Sequence, residues 1–480
     1  MPTATFPNLI AGRHVESSDR NTDVNPSNTA DVIGEFARAS RKDLEEAIAA
    51  AREAFKTWSR SNPQQRFDIL DKAGTEILAR REELGRMLAR EQGKPVADGI
   101  GEATRAGMIF KFFAGEAVRI TGDKVDSVRP NVDCEVTREP LGVIAAITPW
   151  NFPLAISAWK IAPALACGNT VVFKPAELVP ASPWAIADIV NRAGLPPGVL
   201  NLVLGPGAQL GPVLASSPYV DAVTFTGSQD VGPSVAAAAV AAGSRVQLEM
   251  GGKNPLIVVD DADLNVAVSI AVNGAFFQAG QRCTSSSRLI VTQGIHDRFV
   301  AAMVDRMQRL VIDDALKPGI DIGPCVDGRQ LAKNLSYVSI GLKEGAKLVT
   351  GGEPLRRETE GFYMAPALFT ETTNDMRLNR EEVFGPVAAV IRVKDYDEAL
   401  AVANDTQYGL SSGIATTSLK LASDFKRNST SGLVMVNQPT AGLDYHVPFG
   451  GRKKSSYGPR EQGSYAKDFY TVMKTAYTAP

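Results

Sequence analysis

Three side chains in the sequence could act together on an electrophilic carbonyl group: a thiol, a carboxylate and an amide. Cys283 stands in the polar loop FFQAGQRCTSSS, where the adjacent Arg282 is expected to lower the pKa of the thiol and favour the nucleophilic thiolate. Glu249 ends the apolar strand of VQLEMGGKNP, and partial desolvation there would raise its basicity for general-base catalysis. Asn151 in TPWNFP offers a neutral amide that could stabilise an oxyanion. Taken singly, these residues equally fit a core cysteine, a solvated loop acid and a turn residue.

Two further motifs could bind phosphate and ribose groups. FTGSQDVG follows an apolar strand and opens a helix, and Gly227 and Gly232 bracket a turn containing Ser228, so backbone N–H groups there could hold a pyrophosphate. In FKPAE a strand ends at Lys174, shortly before Glu177, a pair that suits ribose hydroxyls and equally fits a surface ion pair. Because FTGSQDVG lacks the GxGxxG pattern, neither motif specifies a dinucleotide by itself.

The sequence gives little support for a metal site or a catalytic histidine. The chain has three histidines, and none is spaced with another His, Cys or acid as metal ligands usually are: His14, His296 and His446. We therefore predict no metal site and expect the base to be a carboxylate, a lysine or water. The remaining cysteines form no CxxC pair and are expected to be core residues: Cys134, Cys167 and Cys325.

Near-continuous apolar strands alternate with helices from Gly142 onward, which indicates parallel sheets covered on both faces, the doubly wound α/β architecture. The strands are GVIAAIT, TVVFK, GVLNLV, AVTFT and RVQLE, and a second alternation begins after Gly252 with PLIVV. Residues 40–118 are predicted to be helical and 125–140 to be extended. The tail DFYTVMKTAYTAP alternates like an edge strand and is expected to pair with another subunit. Ligands of such sheets bind at the carboxyl ends of the strands.

Composition excludes several partners. The 480 residues carry a formal net charge of −2, which argues against nucleic acid or an anionic membrane as the main partner. The longest apolar run, Val235 to Ala242, is far too short to span a bilayer. The first residues, MPTATFPNLIAGRH, show neither a basic start nor an apolar segment, so we expect a cytoplasmic location without a secretory signal.

Taken together and in order, the motifs resemble the aldehyde dehydrogenase superfamily. TPWNFP, FKPAE, FTGS, LEMGG, GQRC, EEVFGP and PFGG run through nearly the whole chain, and the spacing of Glu249 and Cys283 matches the family. The resemblance implies that Cys283 attacks an aldehyde, that Asn151 and the Cys283 backbone N–H hold the oxyanion, and that hydride transfer leaves a thioester which Glu249 hydrolyses with water. Acylating relatives typically lack this glutamate, so hydrolysis is favoured over transfer to coenzyme A.

The same resemblance implies a bound NAD or NADP. Lys174 and Glu177 would hold the adenosine ribose, Ser228 the pyrophosphate and Glu382 the nicotinamide ribose, with Phe384 beside the ring. Glu177 would repel a 2′-phosphate and so favours NAD, although it could swing away and let Lys174 bind NADP. The full set of expected cofactor-binding residues is Thr148, Pro149, Trp150, Lys174, Glu177, Gly207, Gly227, Ser228, Gly251, Glu382 and Phe384.

The expected substrate is a small aldehyde bearing a carboxylate. By family position Phe152, Trp159 and Phe449 line an apolar tunnel, and Arg282 is either a carboxylate anchor or a salt-bridge partner of a neighbouring acid. Succinic semialdehyde dehydrogenases often carry an arginine where this chain has Trp159. GQRCTSSSRLIV and FGGRKKSSYGPREQG most resemble the α-ketoglutaric semialdehyde (2,5-dioxopentanoate) dehydrogenases. Alternatives are another aldehyde dehydrogenase such as the succinic semialdehyde enzymes, an acyl-transferring or esterase role, and a catalytically silent binding or structural protein.

The resemblance also implies a domain plan: two doubly wound Rossmann-like α/β domains plus a small oligomerisation arm. Residues 1–122 and 141–250 would form the NAD(P)-binding domain and 251–432 the catalytic domain. Residues 123–140 and 466–480 would be oligomerisation elements, and 433–465 would return to the cofactor domain and the substrate tunnel. A homodimer or homotetramer is expected.

Overall fold

The structure, a computed structural model, describes residues 4–479. Its amino-terminal part contains short strands followed by four helices, so the predicted helical region at 40–118 is confirmed, whereas the strands before it were not foreseen. A capping box between Ser40 and Asp43 starts the first helix, and Asn62 followed by Pro63 starts the second. These elements are β1 (Thr5–Phe6), β2 (Asn8–Ile10), β3 (Arg13–Val15), β4 (Arg20–Asn25), β5 (Asn28–Ala37), α1 (Arg41–Trp58), α2 (Pro63–Ala79), α3 (Arg81–Gln92) and α4 (Val96–Ala117).

The next part contains a hairpin and the first predicted α/β alternation, and each predicted strand is present. Its elements are β6 (Asp123–Asp126), β7 (Asp133–Pro140), β8 (Val143–Ile147), α5 (Ala155–Ala166), β9 (Thr170–Lys174), α6 (Ala181–Arg192), β10 (Leu200–Leu202), α7 (Gly207–Ala215), β11 (Ala222–Thr226), α8 (Gly232–Ala241) and β12 (Arg245–Glu249). Strands β8 to β12 pair in parallel with one another, and their side chains are almost entirely buried because helices cover both faces.

The second alternation builds another sheet, and the remaining elements return to the first. They are β13 (Asn254–Val258), α9 (Leu264–Phe276), β14 (Ser286–Thr292), α10 (His296–Gln308), α11 (Gly328–Lys343), β15 (Lys347–Thr350), β16 (Ala367–Thr370), α12 (Arg377–Arg380), β17 (Val387–Val393), α13 (Tyr396–Asn404), β18 (Ser411–Ala415), α14 (Leu419–Asn428), β19 (Leu433–Val436), β20 (Ser456–Tyr457), α15 (Lys467–Tyr470) and β21 (Thr471–Thr478). Because β19 pairs with β18, the boundary predicted at residue 432 falls too early: the second sheet extends to residue 436.

The first sheet contains the switch point that places the site. Its strand order is β20-β12-β11-β8-β9-β10-β2-β3. From the adjacent central pair β8 and β11, strands β9 and β10 follow on the β8 side, while β12 lies on the β11 side. At such a reversal the loops after the two central strands separate and leave a crevice at their carboxyl ends. The second sheet has the order β15-β16-β17-β14-β13-β18-β19.

The tail forms part of a small three-stranded sheet. Strand β21 pairs antiparallel with β7, from Thr471 opposite Pro140 to Thr478 opposite Asp133, and β6 lies on the other side of β7. The partner strand of the tail on this side belongs to the same chain, and β21 is an outer strand of the sheet, so pairing of the tail with another subunit stays a prediction. Within residues 4–479 no helix combines the length and the apolar character needed to cross a bilayer.

Candidate active site

Two cavities meet at Cys283. One has a volume of about 410 Å³ and lies at the switch point of the first sheet. The other, of about 520 Å³, lies against α4 and the start of α5. Their shared walls are formed by Ile156, Trp159, Cys283 and Phe449. The half-buried Cys283 thiol can therefore be approached from two sides.

The loop that carries Cys283 has unusual backbone geometry. After α9 ends at Phe276, three consecutive residues have positive φ: Gln278 (56°), Ala279 (53°) and Gly280 (64°). The left-handed conformation costs roughly 1–2 kcal/mol for each residue with a Cβ, so surrounding contacts must hold the loop in place. One such contact is from the Asn254 side-chain amide, which donates to the Cys283 carbonyl at 2.8 Å.

The environment of Cys283 disfavours the thiolate. Burial, with the nearby carboxylates of Glu382 and Glu249, raises the pKa of Cys283 to about 12. The expectation that Arg282 would lower this pKa is wrong, because desolvation and the two carboxylates outweigh the neighbouring cation. A nucleophilic role for the thiol therefore needs a base that accepts its proton.

Arg282 binds backbone rather than an acid. Its guanidinium Nη2 donates to the carbonyls of Asn273 and Gly274 near the end of α9, the latter at 3.1 Å. Within the described part of the chain it makes no ion pair, so the expected salt bridge to an acid is not found. Its buried Nε has no partner among these residues, and the side chain lines the larger cavity, which keeps the predicted anchor role open.

Asn151 lies directly beside the Cys283 loop. It follows β8, is 4% exposed, and its side-chain amide donates to the Gln281 carbonyl at 3.1 Å. The Asn151 carbonyl accepts a hydrogen bond from Lys94 Nζ at 2.8 Å, which holds the turn in place. An amide nitrogen carries two N–H groups, so one of them is left for an oxygen in the cavity.

Glu249 ends β12 and faces the smaller cavity with only 2% exposure. Its Oε2 accepts a hydrogen bond from the Ser456 hydroxyl at 2.5 Å. Burial and the nearby Glu461 carboxylate raise the pKa of Glu249 well above 4.5, as expected from its predicted desolvation. A carboxylate of raised basicity suits proton abstraction from a thiol or from water.

A buried ion pair lies behind Glu249 and was missed by the sequence analysis. Lys160 and Glu461 are fully buried partners, and Lys160 Nζ also donates to the Thr224 hydroxyl at 2.8 Å. Lys160 lowers the pKa of Glu249 while Glu461 raises it. No local motif marks this pair, because α5 and the segment after β20 meet only in the folded chain.

Every predicted cofactor-binding residue lines the smaller cavity. Those lining it are Thr148, Pro149, Trp150, Lys174, Glu177, Gly207, Gly227, Ser228, Gly251, Glu382 and Phe384. Glu382 accepts a hydrogen bond from the Gly252 N–H at 2.8 Å, and a Cβ at Gly251 would lie 2.0 Å from the same carboxylate, so a larger residue there would displace the Glu382 side chain. Phe384, with a φ of 60°, packs edge-on against Trp150 at 5.3 Å.

Unpaired polar atoms in this cavity indicate that it is built for a polar ligand. Glu177 Oε2, Thr148 Oγ1 and Thr226 Oγ1 are buried without partners among residues 4–479. Lys174 Nζ donates to the Pro175 carbonyl at 2.7 Å, and burial lowers its pKa to about 8. Buried polar groups without partners cost free energy unless a ligand satisfies them.

Comparison with known proteins decides the family. The profile of the aldehyde dehydrogenase family matches residues 14–476. This chain belongs to the aldehyde dehydrogenase family. It is 43% identical to the alpha-ketoglutaric semialdehyde dehydrogenase of Bacillus subtilis (99% of this chain, 98% of the relative). It is 44% identical to the alpha-ketoglutarate semialdehyde dehydrogenase of Haloferax volcanii (98% of each).

A solved structure confirms the predicted fold class. The betaine aldehyde dehydrogenase of Staphylococcus aureus, determined in complex with NAD+, superimposes with a TM-score of 0.96 at 34% identity, covering 98% of this chain and 94% of that one. The enzyme class predicted from the motifs, an aldehyde dehydrogenase, is likewise confirmed by the family match.

The larger cavity of this aldehyde dehydrogenase is lined by all four predicted substrate residues: Phe152, Trp159, Arg282 and Phe449. Trp159 and Phe449 stack with ring centroids 5.3 Å apart. The expectation of an apolar passage needs correction, because α4 contributes charged side chains that the sequence analysis did not single out: Asp98, Glu102 and Arg105.

Helix α11 forms another wall of the smaller cavity, which the sequence analysis did not predict. Arg329, Gln330 and Lys333 line the smaller cavity, and Lys333 lies close enough to Glu382 to lower its pKa. The spacing of Arg329 and Lys333 places both cations on one helical face, a signal that becomes useful only once the helix itself is recognised.

Proposed function

We propose that this aldehyde dehydrogenase oxidises 2,5-dioxopentanoate to 2-oxoglutarate with NAD+. The observation that carries the proposal is the pair of arginines in the wall of the larger cavity, Arg105 and Arg282, which accompany the Cys283 thiol there together with Asp98 and Glu102. An aldehyde that reaches the thiol through this cavity and carries a carboxylate at its other end meets opposite charge. The names of the two relatives from Bacillus subtilis and Haloferax volcanii support the same substrate.

The first step joins Cys283 Sγ to the aldehyde carbon. Glu249, as its carboxylate, accepts the thiol proton. Burial raises the pKa of Glu249 and so makes it a stronger base than an exposed carboxylate, and burial also raises the pKa of the thiol, which therefore needs a base. The carbonyl π electrons move to oxygen, and the Asn151 amide and the Cys283 backbone N–H stabilise that oxyanion. Preorganised donors act strongly there because the Asn151 side chain is buried, where the local dielectric is low.

Oxidation and hydrolysis follow at the same carbon. When bound in the smaller cavity, the nicotinamide accepts the hydride that leaves this carbon, and a thioester remains on Cys283. Glu177, Thr148 and Thr226 have the unpaired buried oxygens that fit the polar parts of the dinucleotide. Glu249 first passes the thiol proton to solvent and, again as its carboxylate, takes a proton from water, whose oxygen attacks the thioester. The carbonyl then re-forms, the C–S bond breaks and the proton held by Glu249 goes to the sulfur, which releases the acid and the Cys283 thiol.

Glu177 supports NAD+ over NADP+. Its buried carboxylate lines the smaller cavity, where a 2′-phosphate would bring a second negative charge into a site of low dielectric. Lys174 is the one lysine of β9 that could compensate, and its Nζ is engaged by the Pro175 carbonyl.

The decisive experiment is a substrate panel run with each nicotinamide cofactor. We expect kcat/KM to be highest for 2,5-dioxopentanoate with NAD+, lower for succinic semialdehyde and lowest for the cationic betaine aldehyde. NADH formation must need no coenzyme A, and Cys283→Ala must abolish it. A preference for betaine aldehyde refutes the substrate, and a folded chain without activity on any aldehyde in the panel supports the silent binding role instead.

We also propose that the chain assembles into a homodimer or homotetramer and keeps the division into two α/β domains and an arm. The outer strands β6 and β21 of the small sheet have free edges and exposed apolar side chains, which supports assembly through this arm: Val125, Val472, Met473 and Tyr477. Light scattering after size-exclusion chromatography tests this, and a monomer at micromolar concentration contradicts it. The cytoplasmic location stays a prediction.

A further inference from the structure

One face of α4 lines the larger cavity. Asp98, Gly101, Glu102 and Arg105 all contribute to its wall, and their spacing of three and four residues places them on a single helical face. Arg105 stands at the carboxyl end of this row. The charged groups of the cavity are therefore Asp98, Glu102 and Arg105 from α4, together with Arg282 from the loop of the nucleophile.

Glu102 does not neutralise Arg105, because its carboxylate is already engaged. Its Oε2 accepts a hydrogen bond from Lys94 Nζ at 2.5 Å, and its Oε1 accepts from the backbone N–H groups of Leu154 and Ala155 at 2.9 and 3.1 Å. This buried cluster ties α4 to the start of α5. The lysine balances the charge of the glutamate, and the remaining charged groups of the cavity are Asp98 and the two arginines.

Arg105 is half-buried and makes no hydrogen bond or ion pair with any residue in the range 4–479. Burial lowers its pKa, while Glu102 and Asp444 at longer range favour its charged form. By contrast, Arg282 Nη2 donates hydrogen bonds to two backbone carbonyls. The Arg105 guanidinium therefore keeps its donors available to a ligand in the cavity, and its planar fork matches a carboxylate with two parallel hydrogen bonds.

We propose that Arg105 binds the terminal carboxylate of the aldehyde substrate and sets the preference of the enzyme for carboxylated aldehydes. This deepens the proposed function and rests on it. The aldehyde carbon lies at Cys283 and the carboxylate at Arg105, both on the wall of one cavity of about 520 Å³. Arg105 acts in binding and takes no part in the covalent steps.

The test compares Arg105→Gln and Arg105→Lys with the wild type on 2,5-dioxopentanoate, succinic semialdehyde and pentanal, the last an uncharged aldehyde. Loss of a charged hydrogen-bonded contact predicts that Arg105→Gln lowers kcat/KM for both carboxylated aldehydes by about 10- to 100-fold, mainly through KM. Activity on pentanal should stay within about twofold, and Arg105→Lys should recover part of the loss. Arg86→Gln, which removes an exposed arginine of α3, serves as the matched control.

A second readout separates binding from structure. Glutarate, a five-carbon dicarboxylate, should inhibit the wild type competitively against the aldehyde and should inhibit Arg105→Gln at least about tenfold more weakly. An equal loss on pentanal and on the carboxylated aldehydes, or unchanged inhibition by glutarate, overturns the assignment.

The two proposals fail differently. A wild type that prefers succinic semialdehyde to 2,5-dioxopentanoate overturns the proposed substrate, yet a selective loss in Arg105→Gln still supports the anchor. A wild type that prefers 2,5-dioxopentanoate, with a variant that keeps this preference, overturns the anchor alone. A wild type that treats pentanal and both carboxylated aldehydes alike overturns both.

Discussion

Replacing Gly280 by alanine tests whether the strained loop positions Cys283. A Cβ at Gly280 would lie 2.2 Å from the Gly385 carbonyl oxygen and 2.8 Å from Pro386 N, and its φ is +64°. The carbonyl oxygen would have to move from 2.2 Å to at least 3.0 Å, the shortest approach that real Cβ atoms make, which is a shift of about 0.8 Å. Either the Cys283 loop or the segment after Phe384 must give way, and both line the smaller cavity.

The expected loss can be separated into two parts with a matched control. Gly319 has a similar φ of +75° and nothing within 4 Å of its Cβ position, so Gly319→Ala carries the backbone cost alone, about 1 kcal/mol. Gly280→Ala adds roughly 1–3 kcal/mol for the steric contact with rigid backbone. A displacement of the thiol approaching 1 Å lowers kcat by about 100-fold.

Urea and thermal unfolding of the wild type and both variants, at one protein concentration, give the stability difference, and NADH formation gives kcat. We expect Gly319→Ala to keep wild-type kcat. Equal destabilisation of the two variants, or wild-type kcat in Gly280→Ala, would refute the view that the packed turn fixes the nucleophile.

Three other outcomes are expected. Glu249→Gln removes the base for both the thiol proton and the hydrolytic water, so it should slow NADH formation in stopped-flow measurements as well as acid release, by about 100-fold or more. Because burial raises the pKa of Glu249, its basic form fills only as pH rises, so wild-type turnover should increase over a pH range above 4.5, and the variant should lose that limb. Lys160→Met and Glu461→Gln should each lower the free energy of unfolding by about 3–5 kcal/mol, since each leaves a buried charged partner unpaired. The double variant should lose less stability than the sum of the two single losses, and additive losses in urea titrations would contradict this. Asn151→Ala should lower kcat by about 100- to 1000-fold with little change in KM, and a purely KM effect in steady-state assays would argue against its oxyanion role.

The fold was predictable where the chain is uniformly apolar. Strands β8 to β12 are short buried runs bounded by turn residues, so their sequence alone identifies them. Strands β1 to β5 were missed because they are very short, as β1 to β3 are, or rich in polar residues, as in RNTDVN of β4, and so lack the continuous apolar run that marks β8. The apolar run VAAVIRV of β17 was overlooked although it carries the same signal as β8.

The site was predictable where a single loop carries the chemistry. Cys283, Glu249 and Asn151 each stand at a strand or helix end with turn residues beside them, and the folded chain places all three on one cavity. Arg105 could not be found this way, because an arginine on an amphipathic helix looks the same whether its face meets solvent or a cavity. The predicted direction of the pKa shift of Cys283 was wrong for a related reason, because this shift depends on burial by segments far away in the sequence.

The contributions of Phe449, Ser456 and Glu461 have a consequence for biosynthesis. These residues close the space around Cys283, support the Glu249 carboxylate and pair with Lys160, yet they are made after β19, the last strand of the second sheet, and Ser456 itself lies in β20, the last strand of the first sheet to be made. A nascent polypeptide emerging from the ribosome therefore carries a reactive sulfur and two buried charges without their final partners. During translation the active site therefore becomes complete only at the end and in one step, so truncated chains should be inactive rather than weakly active.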